Sequence, residues 1–144
     1  MKALNELKIQ IESRSVNESY ARVAVSAFAA QLDPTVEEIN DIKTAVSEAV
    51  TNCIVHAYRD GVGKIYIGVK ILENSTVEIK IRDRGCGIED VKRAMQPLFT
   101  TGDGDRAGLG FSVMESFSDK VKVRSSVGLG TTVTLIKKIK GKNA

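Results

Sequence analysis

Tryptophan is absent from the 144 residues, histidine occurs once, cysteine and proline twice each, and aromatic side chains make up only 5% of the chain. Each scarcity excludes something. Cys53 and Cys86 are too few for a disulfide framework, and with His56 as the one histidine they fall short of the roughly four ligands of a zinc site, so both read as reduced thiols. So few rings leave little for base stacking, and no direct nucleic-acid partner is expected. No apolar run approaches the roughly 18 residues of a membrane-spanning helix, and the opening Met1, Lys2, Ala3, Leu4, Asn5, Glu6 turns polar too soon for a secretory segment. The expectation is a cytoplasmic protein with no membrane partner.

What is present suits an ordinary globular core: 42% hydrophobic and 27% charged residues, in a length that fits one domain over residues 1–144. The net charge of +3 owes much to Lys137, Lys138, Lys140 and Lys142. Without these four the balance turns negative, and the basic tail, about 137–144, reads as a solvated end.

Hydropathy patterning places the elements. Leu7, Ile9 and Ile11 alternate with polar residues and predict a first strand. A helical spacing runs from Asn17 to Leu32 and stops before Asp33-Pro34, after which Thr35 and Glu38 form a capping box for a second helix over about 36–58. Ile65 to Ile71 and Val77 to Ile81 predict two strands around a turn at Asn74-Ser75, in a phase that turns Asp83 toward the buried side. A short helix near Glu89 to Met95, a glycine-rich stretch over about 100–110, a helix from Phe111 to Phe117 and strands over 121–127 and 131–136 complete the order. That order predicts an α+β, two-layer α/β sandwich: a mixed, mostly antiparallel sheet with helices on one face.

Four groups of residues carry chemistry. A carboxylate at Asp83 costs several kcal/mol to bury unpaired, and a planar ligand with an exocyclic amine would satisfy it. Gly85 and Gly87 follow it where the backbone must turn or admit a close neighbour. Glu48, Asn52 and His56 stand four apart on the second helix, each about 40° round from the last. A carboxamide oxygen at Asn52 suits Mg²⁺, and a glutamate one turn away suits a general base. Gly108-Leu109-Gly110 precedes a helix whose free N–H groups and dipole favour phosphate, with Arg106 beside it. Gly128 to Thr132 reads most simply as a hairpin connection.

Taken in order, Glu48…Asn52…His56, Asp83-x-Gly85-x-Gly87, Gly108-x-Gly110 and Gly130-Thr131 resemble the ATP-binding boxes of the GHKL superfamily, which includes gyrase-type ATPases, MutL and histidine kinases. Asn17 to Arg22, Val46 to His56 and Gln96 to Thr101 narrow the resemblance to the anti-sigma-F factors of spore-forming bacteria, over nearly the whole chain. The resemblance implies a Bergerat-type ATP-binding fold. It implies a homodimer that holds the sporulation sigma factor sigma-F with ATP bound, and a serine/threonine protein kinase that uses Mg-ATP to phosphorylate a serine on an anti-anti-sigma factor. It implies that Glu48 is the catalytic base, that Asn52 holds Mg²⁺, and that Asp83 takes the adenine amine with Thr131. It also implies that ATP or ADP is bound by His56, Gly85, Gly87, Ile88, Thr100, Thr101, Arg106, Gly108, Leu109 and Gly110, and that Arg22 meets the protein partners. Two departures stand out: a short, glycine-rich lid at 102–107, and Leu109 where methionine is expected. A histidine-kinase catalytic domain, a gyrase-type ATPase and a nucleotide-gated sigma-binding module with little kinase activity share the same boxes.

Overall fold

The computed structural model describes residues 1–95 and 109–142, with Leu109 described by its backbone alone. Five strands, β1 (Ala3–Glu12), β2 (Lys64–Leu72), β3 (Thr76–Asp83), β4 (Lys120–Ser126) and β5 (Gly130–Lys138), form one sheet in the order β1-β2-β3-β5-β4. Every pairing is antiparallel, so the mixed sheet expected from the sequence is corrected to a wholly antiparallel one among the described residues. Hairpins explain two of the four pairings: β2 and β3 join through Asn74 and Ser75, both at positive φ, and β4 and β5 join through Gly128.

The two-residue period decides the layers. Ile65, Ile67, Val69 and Ile71 of β2 and Val77, Ile79 and Ile81 of β3 are buried in the same core as Val25, Ile42, Val46 and Val50. Those last four come from α1 (Val16–Ala29) and α2 (Val36–Asn52), which cover one face of the sheet. The opposite face keeps the charged alternate residues. Two shorter helices, α3 (Val91–Ala94) and α4 (Leu109–Ser116), follow in the chain, and α4 packs on α2 through Met114.

α2 begins as the sequence requires. Thr35 Oγ1 accepts from the Glu38 N–H at 3.1 Å, while the Thr35 N–H donates to Glu38 Oε1 at 2.9 Å. The same carboxylate accepts the backbone N–H of Lys140 at 2.7 Å and of Gly141 at 3.0 Å. The backbone of the basic tail is held in place here, while the side chains of Lys138, Lys140 and Lys142 stay exposed. β5 runs to Lys138, Ile139 is 3% exposed, Lys137 pairs with Asp41 at 3.2 Å, and Lys142 reaches Asp33 at 3.3 Å. The tail is strapped to the start of α2 because Glu38 offers spare acceptor capacity there.

α2 ends differently. The expected continuous helix to Tyr58 gives way at Cys53–Ala57 to a π-helical turn, closed by the Tyr58 N–H on the Cys53 carbonyl at 3.3 Å. The carbonyls of this turn are taken by the segment after β3: Ala57 accepts the Cys86 N–H at 3.0 Å, and His56 accepts the Cys86 thiol at 3.2 Å. No described helix is long and apolar enough to cross a membrane.

Candidate functional site

A cleft lies between the C-terminal end of α2, the ends of β3 and β5, and the start of α4. Among its lining residues are Asn52, Cys53, His56, Asp83, Gly87, Ile88, Gly110 and Thr131.

Asp83 forms its floor. The carboxylate is 5% exposed, as the strand phase demands, and its two oxygens are treated unequally. Oδ1 accepts the N–H groups of Gly85 at 2.9 Å and Thr131 at 3.2 Å. Among the described residues Oδ2 receives only the Cys53 thiol, at 3.5 Å. One oxygen is therefore fixed by the backbone and the other keeps acceptor capacity toward the cleft. Cys53 answers to this arrangement: burial, followed by the Asp83 charge and its hydrogen bond, pushes the thiol well above its ordinary pKa, so it stays protonated and donates.

The glycines after Asp83 have steric reasons. A Cβ on Gly85 would run into the Ala57 carbonyl, and one on Gly87, at φ +79°, would run into the Ser126 carbonyl. The segment is thus pressed between the π-turn and the β4–β5 hairpin. Ser125 completes the clamp, accepting the Ile88 N–H at 2.7 Å, donating to the Gly130 carbonyl at 3.1 Å and lying 2.7 Å from the Thr131 hydroxyl. Tyr58 braces the outer side: its hydroxyl donates to the Lys64 carbonyl at 2.7 Å and accepts the Arg84 N–H at 2.6 Å. Burial leads the causes that raise its pKa.

Asn52 lies against the start of α4, where a Cβ on Gly110 would stand 3.2 Å from both its carboxamide nitrogen and oxygen. His56 also lines the cleft, but the π-turn intervenes between it and Asn52, so the even 40° stagger expected along a continuous helix does not hold through His56. Glu48 sits half-buried one turn before Asn52 and is not among the residues lining the cleft. Arg22 lies apart on α1, paired with Glu18 at 3.0 Å and within 3.4 Å of the Ser47 hydroxyl on α2. Thr100, Thr101, Arg106 and Gly108 lie outside the described residues, as does the side chain of Leu109.

Sequence reasoning missed Cys53, Ser125 and Tyr58. Cys53 stood in an apolar helical stripe, and nothing in the pattern announced that its thiol meets Asp83. Ser125 and Tyr58 carry no local signal, because their partners are backbone groups of distant segments.

An antiparallel sheet covered on one face, with a buried carboxylate and a glycine turn beneath the end of a helix, defines a class. The family model of the histidine kinase-like ATPase domain matches residues 11–137, and the chain belongs to that family. Within it, the chain is 56% identical over 140 residues to a protein named anti-sigma F factor from Caldanaerobacter subterraneus subsp. tengcongensis, covering 96% of each chain. A protein of the same name from Anoxybacillus flavithermus is 56% identical over 135 residues, covering 92% of each. Solved structures agree in fold. The RsbU and RsbW domains of a Mycobacterium tuberculosis protein superpose with a TM-score of 0.70 at 20% identity, covering 94% of this chain and 32% of that one. The mycobacterial sensor histidine kinase MprB gives 0.61 at 11% identity, covering 92% and 99%.

Proposed function

We propose that the protein is an ATP-dependent anti-sigma factor that binds sigma-F and a Mg-ATP-dependent kinase that phosphorylates a serine of an anti-anti-sigma factor. The observation that carries the nucleotide part is the divided Asp83 carboxylate: Oδ1 is held by two backbone N–H groups while Oδ2 faces the cleft with only a weak thiol donor. An adenine amine is a donor of the right kind for Oδ2, and Gly87 and Ile88 line the space a flat ring needs. The sigma-binding part is supported by the relatives named anti-sigma F factor.

In this reading Asp83, Thr131, Gly85, Gly87 and Ile88 hold the base, and Asn52, His56 and Gly110 face the phosphates. The resemblance would make residues 100–110 the ATP lid, with Arg106 and Gly108 among the phosphate-binding residues. The Asn52 carboxamide oxygen fits a hard divalent cation such as Mg²⁺, which takes only one or two protein groups beside phosphate oxygens. That cation would offset the charge of the triphosphate. Glu48 takes the proton of the incoming serine hydroxyl as its oxygen bonds to the γ-phosphorus, and the bond to the β–γ bridging oxygen breaks to release ADP. Arg22 meets the protein partners on α1. The protein acts as a homodimer in the cytoplasm, and residues 1–144 form one kinase domain.

One observation favours a second reading, a nucleotide-gated sigma-binding module with little kinase activity: Glu48 does not line the cleft. The two separate in one experiment. Incubation with Mg²⁺ and γ-labelled ATP in extract of a spore-forming host should place acid-stable label on a small partner. Glu48→Gln should abolish it while ATP affinity stays within about twofold. Equal loss of binding and transfer would remove Glu48 as the base, and ATP binding without transfer in the parent protein would establish the gated module.

A further inference from the structure

The sheet face turned away from the helices carries a charge pattern that the nucleotide site does not use. Strand register lines its residues into three cross-strand rows. The first runs Gln10, Tyr66, Arg82, Thr132, Arg124; the second Lys8, Gly68, Lys80, Thr134, Lys122; the third Glu6, Lys70, Glu78, Ile136, Lys120. With Arg84, which lies over the Tyr66 ring, and with Lys64, Lys138 and Glu12 in the same strand phase, this face holds ten cations against three anions, and the other eleven cations of the chain are outnumbered by its fifteen acids. A modest net charge of +3 thus hides a strongly basic sheet face on an acidic remainder. The face neutralises little of this itself: Lys80 and Glu78 approach to 3.9 Å, and Lys80 remains 53% exposed.

Two further features give the patch a shape. Gly68 sits in the middle of β2, where glycine weakens a strand. A Cβ built there meets nothing within 4 Å, and its φ lies outside the left-handed range, so neither crowding nor backbone geometry within this chain calls for glycine. The glycine leaves a bare floor between Lys8 and Lys80, its partners on either side. Beside this floor the Arg82 and Arg84 guanidinium carbons lie 5.7 and 5.0 Å from the Tyr66 ring centre. Stacking of this kind pre-positions both forks and leaves their N–H edges for carboxylates.

We infer that this face is a docking surface for an acidic, extended segment of a protein partner, with its main chain over Gly68 and its carboxylates on Lys8, Lys80, Lys122 and the two stacked arginines. A second copy packed face to face would set like charges against each other. Nucleic acid would find the one aromatic ring of the three rows already stacked on by arginine. The inference stands apart from the nucleotide reading, because it uses the other side of the sheet.

The test uses the full chain, ¹⁵N-labelled, with a fluorescein-tagged dodecapeptide of alternating glutamate and serine as probe, and an oligonucleotide of equal charge as comparison. Saturable binding should move the amide signals of Gly68, Lys80, Arg82 and Thr132, and should weaken steeply with salt. Lys8→Glu with Lys80→Glu should lower affinity at least about tenfold, and Gly68→Trp, which fills the floor, at least about threefold. Lys43→Glu on the helix side should change it less than about twofold. The inference is overturned if the peptide fails to saturate, if its signals map to residues 137–142, if both variants bind as before, or if the oligonucleotide binds more tightly. It is equally overturned if sedimentation shows this face buried between two copies.

Discussion

The two ends of α2 are built to opposite specifications. At its start, both oxygens of the Glu38 carboxylate accept backbone N–H groups, from Thr35 and Gly141 on one and Lys140 on the other, and the chain on both sides is tied down. At its finish, the helix widens into a π-turn whose carbonyls are drawn aside to Cys86, and the neighbouring Asp83 keeps one oxygen nearly idle. The same helix thus anchors the fold with one end and opens a cleft with the other. Backbone donors on both carboxylate oxygens mark the structural end, and an oxygen met only by a weak thiol donor marks the end suited to a ligand.

That contrast breaks most sharply at Asp83. Asp83→Asn keeps an oxygen for the Gly85 and Thr131 N–H groups but turns a donor toward the cleft. It should weaken ATP binding by roughly a hundredfold or more, about 2.7 kcal/mol, in titration calorimetry. The thermal midpoint should move by only a few degrees; ATP affinity unchanged by the substitution would remove the cleft from nucleotide binding. Glu38→Ala tests the other end and should do the reverse. It strips the capping box and both tail contacts, so unfolding should cost about 2 kcal/mol less in denaturant melts, with ATP affinity within about twofold of the parent. A large loss of ATP affinity in this variant would mean that the two ends are coupled through the helix.

The smallest effect is electrostatic. Burial tends to raise the Glu38 pKa, but the backbone N–H groups of Thr35, Lys140 and Gly141 outweigh it and hold the carboxyl below its ordinary value of 4.5. A depressed acid contributes stability above its unfolded pKa and loses it as pH falls through the folded one. Acid titration of stability should therefore show a drop below about pH 4.5 that Glu38→Gln removes. A curve identical in the two proteins would mean that the tail contacts carry no charge-dependent energy.

What could be read from the chain follows the range of the interactions involved. The capping box of Thr35 and Glu38 is a local pattern, and the structure contains it as read. Asp83 was legible because strand alternation runs from Val77 without a break. The π-turn was not, since Cys53 and Ala57 continue the apolar helical spacing and the groups that pull the turn open lie beyond β3. The attachment of the tail was not legible for a similar reason: its lysine side chains reach solvent as composition suggests, while its backbone N–H groups serve a carboxylate 102 and 103 residues earlier. The Gly68 floor reads locally as one weak position in a good strand, and its meaning comes from register.

The strap at Glu38 also has a consequence in time. A ribosome releases α2 long before it releases Lys140 and Gly141, so the helix emerges with its local cap but without the two tail contacts on Glu38. The sheet order defers closure as well, because β5 must slip between β3 and the earlier-made β4. A nascent chain halted before residue 140 would carry the Asp83 cleft on an unfastened scaffold, which makes Lys140 and Gly141 the latch of vectorial folding.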